Sequence, residues 1–429
     1  MPSTTTTKLA ASEALRTGPE QGAPDALGGD GFGPDALGPV SQRVAVFLCG
    51  AFAFLDLYCV QPLLPLFAQV FHATATRVGF TISAATLGVA ISAALLAAFG
   101  EQLDRKRTIV VYMVMLALCT LLTSTAHSLT TLAMWRLVQG LVSPGIFTIT
   151  IAYITEEWPA LLVPRVMSVY VAGTVFGGFV GRLLGGAVAQ HFGWRSVFWS
   201  LGISGLCGAL ATVRLLPPAR AAKQRPFPGS RFAPMMQNLH NKRLLATFLI
   251  GFCMLFTLVS TFSFITFYLS ASPFRLTSAE LGYLFAVYLA GLVATLAAGT
   301  VLARIGLRHG MVAAMALCLT GITLTLIHSL AVVALGLSVC SSGIFIAQTC
   351  ANSFLRDAAP AGSRVSAAGL YICFYYIGGT VGGVLPGVAW RLAGWPGCVV
   401  LTGGLIVLAG LTALLGWPSN RAEPDPIPL

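Results

Sequence analysis

The chain has 429 residues, of which 56% are hydrophobic and only 9% charged, and its mean hydropathy is +0.83. Soluble domains carry about 25% charged residues, so a water-exposed fold of this length has no way to hide so much apolar surface, and the expected solvent is lipid. The net charge of +11 sits in short gaps between apolar runs and forms no continuous basic face, which argues against a nucleic-acid partner.

Residues 1–42 are polar and rich in Gly, Pro, Asp and Thr, and Pro24-Asp25-Ala26-Leu27-Gly28 recurs as Pro34-Asp35-Ala36-Leu37-Gly38. The composition predicts a disordered tail. It lacks the short apolar core and small-residue cleavage site of a signal peptide, so the tail is expected to be retained. Twelve apolar segments follow, each near the ~20 residues that cross a ~30 Å hydrocarbon core: 44–70, 77–99, 108–126, 131–154, 166–189, 196–214, 244–269, 281–302, 309–328, 331–354, 365–388 and 398–416. Residues 417–429 form a polar, proline-rich tail. The expected organisation is an all-α membrane protein with six-helix halves at 43–214 and 244–416, joined by a basic linker, 215–243, that contains no acid.

Lys and Arg in the gaps set the orientation. With the N-terminus inside, the outer gaps hold only Arg77, Arg195, Arg275 and Arg391. The inner gaps carry over three times as many, including Arg105, Lys106, Arg107, Arg165, Arg304, Arg308, Arg356, Arg364 and the linker group. Both termini are therefore expected in the cytoplasm, with the linker against the anionic inner leaflet. The halves repeat: Gly145-Ile146-Phe147 matches Gly343-Ile344-Phe345 at an offset of 198, and Gly177, Gly178 and Gly181 match Gly378, Gly379 and Gly382 at 201. Repetition across two membrane halves points to a transporter. The ten cysteines are scattered singly, and the six histidines fall at segment ends or in gaps without metal-ligand spacing. No metal and no cofactor are expected. No paired carboxylates or Ser/His/Asp constellation lies in the spans, so the chain is not expected to be an enzyme.

Three ionic side chains interrupt apolar segments: Asp56, Arg136 and Arg182. At ~1.5 Å per residue, Asp56 lies about 18 Å from the inner start of its segment, Arg182 about 24 Å and Arg136 about 22 Å from the inner side of a ~30 Å core. These depths are poor for snorkelling. The expectation is one carboxylate facing two guanidiniums across a hydrated pocket. Either Asp56 exchanges protons when an Arg is drawn away, or it neutralises one Arg while the other binds an anion bidentately. Pro62 and Pro65 predict a kink in the first segment.

Several motifs resemble the major facilitator superfamily. Gly100-x-x-x-Asp104-Arg105 is similar to that family's loop between helices two and three, and Gly299-x-x-x-Ala303-Arg304-Ile305-Gly306-Leu307-Arg308 is a second copy with Ala in place of the Asp. The resemblance implies a gate in which Asp104 docks on the start of helix eleven near Ser363 to Ser366, Arg105 pairs with Glu156 or Glu157, and Arg304 pairs with Asp357. Positive-inside charge alone accounts for Lys106 and Arg107. Arg136-Leu137-Val138-Gln139-Gly140 resembles the Arg-x-x-Gln-Gly motif linked in that family to proton coupling. Gly177-x-x-x-Gly181-Arg182-x-x-Gly185-Gly186 resembles the drug-proton antiporter motif, with Arg182 where those proteins have Pro. The four glycines also suit close helix packing. Tyr58-Cys59-Val60-Gln61-Pro62-Leu63-Leu64-Pro65 looks like a bacterial arabinose-efflux-like branch.

The resemblance implies a monomeric inner-membrane transporter that works by alternating access and exports a small organic molecule against protons. Uptake or exchange of an organic anion held by Arg136 and Arg182 is the alternative. Its midplane cavity is expected between helices one, four, five, seven, ten and eleven, with substrate contacts from Tyr58, Gln61, Gln139, Gln348, Asn352, Tyr371 and Tyr375. Tyr288, Tyr376, Phe262 and Phe264 are further candidates for an aromatic wall.

Overall fold

A computed structural model describes residues 39–99, 104–159, 161–218, 233–360 and 363–418. The expected N-terminal tail through residue 38, Gly100, linker residues 219–232 and the C-terminal tail from 419 lie outside the described residues. Among the described residues the structure is helical, with no strand. The helices in chain order are α1 (Val40–Leu55), α2 (Leu64–Val70), α3 (Ala75–Phe99), α4 (Arg105–Thr123), α5 (Leu129–Glu157), α6 (Val163–Phe192) and α7 (Trp194–Leu215). They are followed by α8 (Ala233–His240), α9 (Lys242–Ser270), α10 (Ser278–Leu284), α11 (Val287–Leu324), α12 (Leu330–Ala358) and α13 (Arg364–Gly416).

Nine helices among the described residues are long and apolar enough to cross a membrane. Two long helices contain reversals. Gly306 takes φ 78°, and a Cβ on Gly310 would touch the Leu302 side chain, eight residues back. In a straight helix that separation is about 12 Å. α13 turns at Ala393 and Gly394, which lets the Cys398 Sγ reach the Pro386 carbonyl at 3.3 Å. The second limb of α13 and the shorter apolar helices 40–55 and 278–294 stand where the remaining expected spans fall. Large apolar side chains such as Phe80, Leu118, Val293, Leu335 and Val400 are exposed on the outside of the bundle, a surface that suits lipid and not water.

Close approach of backbones sets the packing in both halves. A Cβ added at Gly173, Gly177, Gly181 or Gly185 of α6 would run into the carbonyl of Phe47, Ala51, Leu55 or Cys59. The four-residue spacing on both sides is one glycine face laid along one carbonyl row of the first passage. Gly378 and Gly382 of α13 meet Phe252 and Phe256 of α9 in the same way, at the same sequence separation. Gly186 instead faces Ser278 and Gly282 of α10.

The halves are joined at the end away from the linker. Gly79 abuts Gly383, Ser83 Oγ donates to the Thr380 carbonyl at 2.6 Å, and Thr86 and Thr380 hydroxyls pair at 3.1 Å. At the linker end, Asn238 of α8 is fully buried and clasps the start of α13. Its Nδ2 donates to the Ser363 carbonyl at 3.1 Å, and its Oδ1 accepts from Ser363 Oγ at 2.9 Å.

Candidate functional site

The first passage breaks where its prolines require it. Pro62 and Pro65 have no N–H to give to the carbonyls one turn back. α1 stops at Leu55, the chain turns through Asp56–Val60, and a short 3₁₀ turn, Gln61–Leu63, leads into α2. In lipid every carbonyl released by such a break needs a new donor. Arg136 of α5 supplies it: Nη1 donates to the Asp56 carbonyl at 2.8 Å, and Nη2 donates to the Leu57 carbonyl. Its Nε reaches the Thr81 carbonyl at 3.4 Å, and Nη1 also donates to Gln139 Oε1 at 2.8 Å. Arg136 is 0% exposed, and all three of its nitrogens are engaged.

The Asp56 carboxylate points elsewhere. Its Oδ2 lies 2.9 Å from Thr120 Oγ1, while Oδ1 is buried with no hydrogen-bond partner. Thr120 also accepts from Gln139 Nε2 at 2.9 Å and stands 2.8 Å from the Leu116 carbonyl. A hydroxyl has one proton to donate. That proton serves an ionised Asp56; when Asp56 is itself protonated it donates to Thr120, whose hydroxyl then turns to Leu116. The result is a hydrogen-bonded chain Arg136–Gln139–Thr120–Asp56, buried behind the break.

Arg182 occupies the other side of the same break. Its Nε donates to Gln61 Oε1 at 2.6 Å and its Nη1 to the Gly178 carbonyl. The guanidinium carbon lies 4.8 Å from the Tyr58 ring centre, 5.1 Å from Phe285 and 4.7 Å from Tyr288. Desolvating an ion costs several kcal/mol. Rings return about 1–2 kcal/mol each when water is absent, but no carboxylate pairs with Arg182 among the described residues.

A cavity of about 440 Å³ lies between the halves, on the linker side of their seals. It is lined from α1 and the break (Phe54, Tyr58), α5 (Phe147), α6 (Arg182), α11 (Tyr288), α12 (Gln348, Asn352) and α13 (Tyr371, Tyr375, Tyr376), with further residues of α9. Gln348 Nε2 bridges Asn352 Oδ1 at 3.1 Å and the Tyr371 hydroxyl at 3.0 Å.

The structure thus sorts the expected site. Tyr58, Gln348, Asn352, Tyr371 and Tyr375 line one cavity with Arg182. Gln61 and Gln139 do not: Gln61 is buried between Arg182 and Ser263, and Gln139 between Arg136 and Thr120. Phe262 and Phe264 are also behind the wall, Phe262 against Tyr288 at 4.4 Å and Phe264 against Phe267 at 5.9 Å. The three ionic groups gather around one break, yet among the described residues no ion pair joins them. The freed carbonyls draw Arg136 to the backbone, and the rings hold Arg182.

Among the gate residues, Arg105 and Glu156 form a two-pronged ion pair at 3.0 and 2.8 Å. Among the described residues, Asp104 makes no hydrogen bond to the start of α13. It caps its own helix α4 by accepting from the Arg107 N–H at 3.0 Å, and Asn238 holds Ser363 instead. Arg304 is exposed and is not paired with Asp357, which meets its neighbour Arg356 at 3.4 Å. Gly177, Gly181 and Gly185 pack on the first passage, and Gly186 on α10.

Thr120 and Asn238 carry weight that the sequence did not disclose. A threonine within a helix ordinarily satisfies its hydroxyl on its own backbone, and of the two asparagines in the basic linker, Asn238 and Asn241, neither carries a distinguishing pattern.

The profile of the Major Facilitator Superfamily matches residues 46–382. The chain belongs to this superfamily. It is 30% identical over 380 residues to the inner membrane transport protein YnfM of Escherichia coli K12, covering 88% of this chain and 90% of that one. It is 28% identical over 393 residues to an uncharacterized MFS-type transporter, YybF, of Bacillus subtilis 168, covering 90% and 97%. Its fold matches a bacterial homolog of the human lysosomal transporter Spinster, in an inward-facing and unoccupied conformation, with TM-score 0.71 at 16% identity over 90% of this chain and 98% of that one. The major facilitator fold and a multi-pass membrane transporter are thereby settled for this protein.

Proposed function

We propose that this transporter exports a small organic molecule in exchange for protons, by alternating access across the bacterial cytoplasmic membrane, with its termini inside. The observation that carries the reading is the adjacency of two unlike sites on one break. Asp56 stands behind it with an unpartnered carboxylate oxygen, and Tyr58, two residues on, lines the cavity. A proton arriving at Asp56 removes a charge beside Arg136, whose hydrogen bonds hold the break in place, so proton binding bears on the cavity wall through Asp56–Gln61. The seals between α3 and α13 and between α6 and α10 close one end of the cavity, and positive-inside charge supports reading that end as the outer one. The cavity then faces the cytoplasm, which suits loading from the cell.

Reconstituted vesicles with an imposed pH gradient test this. Substrate movement is expected to follow the gradient in the wild type and to lose that dependence in Asp56→Asn, with substrate binding retained. Movement in Asp56→Asn that still tracks the gradient removes Asp56 from the coupling.

A further inference from the structure

We propose that the cavity takes an amphipathic organic monoanion. Its carboxylate sits on the open edge of the Arg182 guanidinium beside the Tyr288 hydroxyl, and its planar apolar body lies along the aromatic wall. The assignment rests on the transport reading above and specifies what that cavity binds.

Charge comes first. Arg182 is the one charged side chain among the cavity-lining residues, and none of them is Asp or Glu. The Asp56 carboxylate is turned to Thr120, outside the lining. The rings around Arg182 ease its burial but offer it no hydrogen-bond acceptor of carboxylate strength. The cation lacks a counter-charge that an incoming anion supplies. Arg136 is no rival for that anion, because its donors are spent on main-chain carbonyls and it is wholly buried.

Donor geometry gives the head group. Arg182 uses Nε on Gln61 and Nη1 on Gly178, and its remaining edge lies beside the Tyr288 hydroxyl. Tyr288 is 6% exposed and lines the cavity, and its hydroxyl stands against the Arg182 guanidinium with its own proton left to donate. A guanidinium edge and a phenol donor in one cage match the two oxygens of a carboxylate. A neutral ligand leaves the cation uncompensated, and a cationic one is repelled.

Size and lining give the rest. About 440 Å³ suits a small drug-sized molecule. Phe54, Phe147, Phe345, Tyr375 and Tyr376 offer flat apolar faces, and a second anionic group would lie against these or Leu255 and Leu258, where nothing pairs with it. Across the cavity, Gln348, Asn352 and Tyr371 form one hydrogen-bonded polar set in the wall, so a hydroxyl at the far end of the ligand meets polar groups there.

The test uses the full chain purified in detergent, with 6-hydroxy-2-naphthoate as probe and its neutral amide as control, followed by equilibrium fluorescence titration. The acid is expected to bind about tenfold or more tightly than the amide, the difference a charge-assisted hydrogen-bond pair makes. Arg182→Gln is expected to erase that preference, and Tyr288→Phe to weaken acid binding severalfold with the amide unchanged. Should Arg182→Gln fail to fold, Arg182→Lys serves: a point charge in place of a fork is expected to weaken the acid about tenfold. Equal binding of acid and amide, no binding of the acid, or an unaltered acid preference in these variants overturns the assignment. Acid binding without proton-driven movement in vesicles upholds it and defeats only the coupling. Proton-driven movement of cations with no acid bound defeats it and spares the coupling.

Discussion

The two halves of the transporter share a packing register and differ in everything that register carries. α6 lies on the first passage, and α13 on α9, through the same glycine-to-carbonyl contacts at the same spacing. Yet the first passage is broken at Asp56–Val60 and braced by Arg136, while α9 runs unbroken over 29 residues. The position of Asp56 is matched in the repeat by Thr257, whose hydroxyl merely bonds back to Cys253 at 2.8 Å. The position of Arg182 is matched by Gly383, which abuts Gly79. Helix packing therefore requires none of the buried charges. Their presence in one half alone supports the proposal that ion chemistry belongs to that half, with the other supplying wall and seal.

The comparison is broken most directly at Arg136. Arg136→Ala strands two buried carbonyls, each costing about 1–3 kcal/mol, so a loss of several kcal/mol is expected in thermal unfolding of the purified protein. A melting point within a degree or two of wild type would falsify the bracing role. The shared register is sharpened by Gly177→Val and Gly378→Val. Each forces a branched side chain into a facing carbonyl and is expected to lose about 1–3 kcal/mol or more, in similar measure. A large loss in one half with tolerance in the other would show that the registers are not equivalent. Asp56→Asn is expected to leave melting within about 1 kcal/mol, since an amide still reaches Thr120, while transport stops responding to pH. A strongly destabilised Asn variant would make Asp56 a structural group. The smallest effect belongs to the gate. Arg105→Ala removes a pair in which Glu156 is 37% exposed, so about 0.5–1 kcal/mol is expected from double-mutant cycles with Glu156→Ala.

Much of the fold was legible because lipid imposes its own arithmetic. Apolar runs near the spanning length, basic gaps and repeated glycines placed the helices within a few residues, and the kink at Pro62 and Pro65 was expected. The two reversals at Gly306 and Gly394 fall in the expected gaps between segments, although the helices there join with hardly a loop between them. The site was legible as a set of residues and a depth. Its internal partnerships were not. Seeing Asp56 between two arginines, charge alone pairs them. Only the freed carbonyls of the broken passage explain why Arg136 turns to main chain and leaves the carboxylate to Thr120. Gln61 and Gln139 were assigned to substrate because they are polar and deep, whereas their work is to orient the two guanidiniums. The docking of Asp104, carried over from a family pattern, depends on how the linker ends of the halves approach, and the Arg304–Asp357 pairing on how two helices of one half end there; sequence encodes neither locally.

The brace at the break also dictates an order of assembly. The Asp56 carbonyl and the Arg136 side chain that satisfies it are 80 residues apart. At synthesis rates of about 5–20 residues per second, the opening segment waits several seconds at the ribosome before its donor exists. Until then its released carbonyls lack their donor, and each costs free energy in hydrocarbon, so a wet or protein-lined surrounding is favoured for the opening segment until the fourth one emerges.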